Sequence, residues 1–147
     1  MDRITVREVE QIAFFIAQQK FSFDEPIPDF TTRYPGILES CLETPFQTFG
    51  RKELYPTFIS KLSILFYLMT KNHPFQNGNK RVAMTTLFFA LYAENKWLKV
   101  DAQTLYNFAV WIAESPSNAK DEVVRYIEKF LKTYIVPLDN KKENKQT

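Results

Sequence analysis

Two stretches of this chain are apolar on almost every side when wound as helices, and only a short polar hinge separates them. In the first, Phe58, Leu62, Leu65, Phe66 and Met69 fall at helical spacing, and Ile59, Tyr67 and Leu68 widen the stripe. In the second, Val82, Met84, Leu87, Phe88, Leu91 and Tyr92 do the same. A helix that is apolar most of the way round is stable only when neighbours cover it. The two stretches are therefore expected at the centre of a helical fold. The first must end near Asn72, because His73 precedes Pro74 and is pushed away from helical geometry. The second starts at Gly78 or Asn79 and runs to about Asn95.

The rest of the chain reads as cover for this pair. Thr5 with Glu8 forms a capping box for a helix from about 6 to 19. FSFDEPIPDFTTRYP carries three prolines and is expected as loop, and GILESCLET is a short helix. PFQTFGRKELYP is bounded by prolines and reads as an extended flap. Asp101 caps a helix over TLYNFAVWIAE, SPSN breaks it, and DEVVRYIEKFLKTYI is a last amphipathic helix ended by Pro137. With three glycines in 147 residues and little strand-like alternation, sheet is disfavoured. The expected fold is all-α, a compact single-domain helical bundle over 1–137 with a short extended flap before the central helices. Residues 138–147 are expected as a disordered polar tail.

Several function classes are poorly supported. The formal net charge of +2 is too small to argue for nucleic acid or an anionic membrane as partner. The single Cys41 excludes an internal disulfide and a cysteine-based zinc site. The N-terminus lacks an apolar signal core, and no apolar run is long enough to span a bilayer. A cytoplasmic protein is expected.

The hinge, HPFQNGNKR, holds the only histidine of the chain. A helix N-terminus presents unpaired backbone N–H groups and a partial positive charge, which suit an anion such as phosphate. Gly78 lets the backbone approach that anion, Asn79 offers an amide, and Lys80 and Arg81 add two cations. Imidazole is the side chain that ordinarily exchanges a proton near neutral pH, so His73 is a candidate general base. Phe75 is a candidate anchor pinning the loop to the core. A lone loop histidine, an Asn-Gly turn and basic residues at a helix start each also have a purely structural reading. What favours a site is the whole set within nine residues.

HPFQNGNKR resembles the signature of the Fic/Doc proteins, of the form H-x-F-x-[D/N]-[A/G]-N-[G/K]-R. GILESCLETPFQTFG and LYPTFISKLSILFYLMTKN are similar to the segments upstream of that motif in the death-on-curing (Doc) branch, so the likeness runs from about Gly36 to Trp97. The resemblance implies a small helical bundle that transfers part of a nucleotide onto a hydroxyl of a target protein. It makes His73 the base, Phe75 the anchor, and Gly78, Asn79 and Arg81 the anion hole. It places a Mg²⁺ ligand at Asn77, and it makes Thr48, Phe49 and Gly50 the flap that aligns the target as an added strand.

Two departures bear on the subtype. AMP-transferring members carry Gly where this chain has Lys80, and a second Arg where it has Met84. Doc-type proteins share the lysine, and in them the γ-phosphate is thought to face the histidine. The resemblance therefore implies phosphoryl transfer from ATP with Mg²⁺, with elongation factor Tu as the expected kind of target. AMP or other nucleotidyl transfer is the alternative. A catalytically weak binding or regulatory member is a third reading, because Asn77 replaces the usual acid and magnesium prefers anionic oxygen. No inhibitory string of the form [S/T]-x-x-x-E-[G/N] is present, which points to a separate antitoxin chain.

Overall fold

The structure is a computed structural model that describes residues 1–20 and 26–138. The expected tail falls largely on 139–147 and part of the proline-rich loop on 21–25; both lie outside the described residues. The bundle is all-α in character, with two short strand pairs.

The first helical run follows Thr5, whose hydroxyl accepts from Glu8 N–H at 3.0 Å while Glu8 Oε1 accepts from Thr5 N–H at 2.9 Å. It comprises α1 (Val6–Glu8), a π-helical segment (Val9–Phe14) and α2 (Phe15–Lys20). The wider π turns leave carbonyls for other partners, and Ala13 O accepts from the Thr85 hydroxyl at 2.7 Å.

Next come a 3₁₀ turn (Phe30–Thr32), α3 (Ile37–Glu43) and a second 3₁₀ turn (Thr44–Phe46). The flap is a minimal hairpin, β1 (Thr48–Phe49) against β2 (Lys52–Glu53), with Thr48 opposite Glu53. Its turn residues Gly50 and Arg51 have φ of 57° and 68°, the left-handed pair that a two-residue hairpin turn demands.

The central pair is α4 (Phe58–Lys71) and α5 (Asn79–Ala93). Every residue from Lys61 to Thr70 is buried, as a helix apolar on most sides requires. Leu62, Leu65, Phe66 and Met69 of α4 meet Val82, Met84, Leu87 and Leu91 of α5 in one core with Leu105 and Ile112 of α6 (Ala102–Glu114) and Ile127 of α7 (Lys120–Tyr134). Asp101 caps α6, its carboxylate accepting from Thr104 N–H at 2.7 Å. Lys71 at the end of α4 donates to the carbonyls of Ala113 and Ser115, closing the C-terminus of α6.

One pairing was not expected. β3 (Lys96–Leu98) and β4 (Ile135–Pro137) lie antiparallel, with Trp97 opposite Val136. Each is three residues long, too short for alternation to register, and they meet only because α6 and α7 return the chain to the end of α5. No helix among the described residues is long and apolar enough to cross a membrane.

Candidate functional site

The loop from His73 to Gly78 connects the C-terminal end of α4 to the N-terminal end of α5. Its shape follows from three anchors. Phe75 is buried beside Phe14 and Phe30, with ring centroids 5.2 and 5.8 Å away. Tyr34 N–H donates to Pro74 O at 2.9 Å, tying the loop to the segment before α3. The Asn79 carboxamide accepts from Phe75 N–H through Oδ1 and donates to Phe75 O through Nδ2, both at 2.9 Å. These bonds satisfy backbone groups that the turn removes from the helices.

Between the anchors the backbone leaves the usual regions. His73 has φ of 51° and Gly78 φ of 78°. A non-glycine residue there is uncommon, though histidine is among the types that tolerate it best. The left-handed His73 lets the chain leave α4 sharply and exposes the imidazole, while Pro74 and Phe75 turn inward and are buried. Its Nδ1 lies 3.4 Å from Asn79 Nδ2. Gly78 N–H donates to Asn77 Oδ1 at 2.8 Å, and Asn77 Nδ2 donates to Pro26 O at 3.3 Å.

The start of α5 is electrostatically unusual. Its first turn contains no acid, and its second and third residues are Lys80 and Arg81. Cations there oppose the helix dipole, whose N-terminus prefers negative charge. Lys80 is half-buried and Arg81 is 3% exposed. Three backbone N–H groups of this turn have no intrahelical acceptor by construction. Cations, N–H groups with no intrahelical acceptor and a glycine-opened approach together fit a bound anion. One turn further on, Met84 is fully buried in the core.

The structure thus brings His73, Phe75, Asn77, Gly78, Asn79, Lys80 and Arg81 together. Thr48, Phe49 and Gly50 stand on the hairpin. Its base is tied to the first turns of α4: Lys61 Nζ donates to Glu53 Oε1 at 2.7 Å and also to Tyr55 O. The loop follows the last turn, so along the α4 axis the two anchorages stand about 15 Å apart by helical rise. Phe49 at the tip is 79% exposed.

For a magnesium ion, Asn77 offers one neutral amide oxygen and no carboxylate. The amide oxygen of Asn77 already accepts from Gly78 N–H, and magnesium favours carboxylates. Among the described residues, no group of three or more His, Cys, Asp or Glu side chains is placed to hold a metal ion.

Sequence reasoning missed the underside of the loop. Phe14, Phe30 and Ile27 support Phe75 and Gly78 from segments far away in sequence, and no local pattern marks them as loop contacts.

No match was found among curated proteins, and none among solved structures. The model of the Fic/DOC family matches residues 3–91, from the first helical run through the flap, α4, the loop and most of α5. A match over that much of the chain, which takes in the histidine loop and the start of α5, makes this protein a member of the Fic/DOC family.

Proposed function

We propose that this protein transfers the γ-phosphoryl group of ATP to a hydroxyl side chain of a target protein, as a Doc-like toxin. The observation that carries the reading is the start of α5: Lys80 and Arg81 flank the open helix N-terminus, while Met84 is sealed in the core and offers no cation for a nucleotide's terminal phosphate. A lysine at position 80 fills the room that terminal phosphates would occupy in the AMP-transferring pose.

In the proposed step the imidazole of His73 takes the proton of the target hydroxyl through a ring-nitrogen lone pair. The hydroxyl oxygen forms a bond to the γ-phosphorus. The bond between that phosphorus and the β,γ-bridging oxygen breaks, and ADP leaves with the electron pair. Lys80, Arg81 and the backbone N–H groups of the first α5 turn offset charge on the phosphoryl oxygens. Phe75 fixes the loop so that His73 keeps its place. The exposed hairpin edge at Thr48, Phe49 and Gly50 is proposed to align an extended target segment. Elongation factor Tu is the first target to try. Inhibition by a separate antitoxin chain is part of the same reading, since buried Met84 cannot pair with an inhibitory glutamate.

The test uses bacterial lysate, Mg²⁺ and ATP labelled on either the α- or the γ-phosphate, with the wild-type protein and His73→Ala. A His73-dependent band from the γ label alone is the expected result. A band from the α label would replace phosphoryl by nucleotidyl transfer. No band from either, including with Asn77→Asp, would favour a binding role.

A further inference from the structure

The Asn79 side chain is better defined than most amides. Its orientation follows from its partners: Phe75 N–H can only donate and Phe75 O can only accept, so Oδ1 faces the first and Nδ2 the second. The residue is 8% exposed, so water does not compete for these groups. An amide NH₂ has two hydrogens and accepts nothing. One is given to Phe75 O. The other nitrogen contact is His73 Nδ1, at 3.4 Å.

A proton on Nδ1 would set two donors against each other. We propose that Asn79 is a positioning residue that holds the resting imidazole of His73 in a single neutral tautomer, with the lone pair on Nδ1 and the proton on Nε2. The inference deepens the function proposed above. Only its consequence for catalysis rests on that reading; the tautomer itself does not.

The consequence concerns which atom acts. Nδ1 is the ring nitrogen turned toward Asn79, the first residue of α5, whose N-terminus is proposed to hold the phosphates. While the contact holds, the Nδ1 lone pair is covered by Asn79, so the imidazole must turn away from Asn79 before that lone pair takes the hydroxyl proton. Once that proton arrives, both ring nitrogens carry hydrogen, and Nδ1 can no longer accept from Asn79. The Asn79–His73 contact opens before the proton is gained and closes again when the imidazolium gives it up. The Phe75 bonds persist throughout, so the loop keeps its shape while the tautomer resets.

The chain contains one histidine, which makes the test direct. Long-range proton–nitrogen correlation spectra of the full, nitrogen-labelled protein report each ring nitrogen as pyridine-like or pyrrole-like. They are recorded at alkaline pH and read for the neutral ring. The expected wild-type spectrum shows a pyridine-like Nδ1 and a pyrrole-like Nε2. A pyrrole-like Nδ1, or the averaged mixture of a free imidazole, overturns the proposal.

Asn79→Asp supplies the second arm. It keeps an acceptor for Phe75 N–H but places an acceptor against Nδ1, so the tautomer should invert to Nδ1–H. An unchanged tautomer in the folded variant also overturns the proposal. Neither arm depends on phosphoryl transfer, so failure of the labelling experiment and failure here are told apart.

Discussion

A side chain at Gly78 has no room beside Ile27: an ideal Cβ built there stands 2.5 Å from Ile27 Cγ1 and 2.8 Å from Cδ1. The glycine also holds φ of 78°, a conformation that costs an L residue roughly 1–2 kcal/mol. Gly78→Ala is therefore expected to destabilise the protein by roughly 2–4 kcal/mol, strain and overpacking together. Ile27→Ala removes the obstruction but not the backbone strain. In a double-mutant cycle by urea denaturation, the two changes should couple favourably by about 1 kcal/mol or more. Simple additivity would show that the crowding is relieved at no energetic cost.

Phe75 is the loop's main apolar anchor, sharing a pocket with Phe14 and Phe30. Phe75→Ala leaves a cavity under the loop and is expected to cost about 3–5 kcal/mol, a large part of the stability of a domain this size. Phe75→Leu refills most of the volume and should recover more than half of that. If His73 depends on this anchor, labelling activity should fall in Phe75→Leu by more than the lost stability explains. Equal activity in a folded Phe75→Leu would remove the anchor from the mechanism.

Much of this arrangement was legible in the sequence. The two helices apolar on most sides, the break at His73-Pro74, and the caps at Thr5 and Asp101 are local signals, and local physics decides them. The flap was legible as extended chain, because prolines bound it and Gly50 permits its turn. What was not legible is where the Asn79 amide goes. Sequence places it at a helix start and suggests an anion, whereas the structure directs both ends to the Phe75 backbone and its remaining N–H toward His73. Nothing in HPFQNGNKR fixes that choice. The π-helical widening at Val9–Phe14 was also invisible, and one carbonyl within it, Ala13 O, is taken by Thr85, 72 positions away.

Lys61 is buried within the otherwise apolar stretch of α4, with its ammonium on Glu53 and the Tyr55 carbonyl and 5.6 Å from the Phe46 ring centre. It ties the hairpin to the bundle. Lys61→Met keeps the stem packing but leaves the Tyr55 carbonyl without its donor, at a cost of about 1–3 kcal/mol. The effect should be local. Hydrogen exchange in residues 48–55 should accelerate, while amides of α5 keep their protection. Uniform acceleration would mean that Lys61 supports the whole core and not the flap in particular.

Cys41 is fully buried in α3, and burial pushes its thiol up to about 12. A raised folded value means stability that is complete below the unfolded thiol range, about 8.5, and lost as pH climbs toward the folded one. At neutral pH the native thiol should resist alkylating reagents and react only on unfolding. Rapid labelling of the folded protein would show that α3 opens locally.

Glu39 gives the opposite sign. Its carboxylate is held below the usual glutamate range, first by its own backbone N–H and then by Arg33, whose guanidinium donates at 2.9 and 3.2 Å. Gly36 N–H adds a third donor at 3.2 Å. A depressed folded value contributes stability that is present above the ordinary range, about 4.3, and lost as pH falls through the folded one. Arg33→Ala should therefore weaken the acid dependence of stability below about 4.3, while the backbone donors keep part of it. The side chains are partly exposed, so salt should shrink the Arg33 contribution and leave the backbone part. Urea midpoints across the acid range at low and high salt separate the two. If Arg33→Ala matches wild type at every pH, the fork holds geometry at the start of α3 without adding to acid-linked stability.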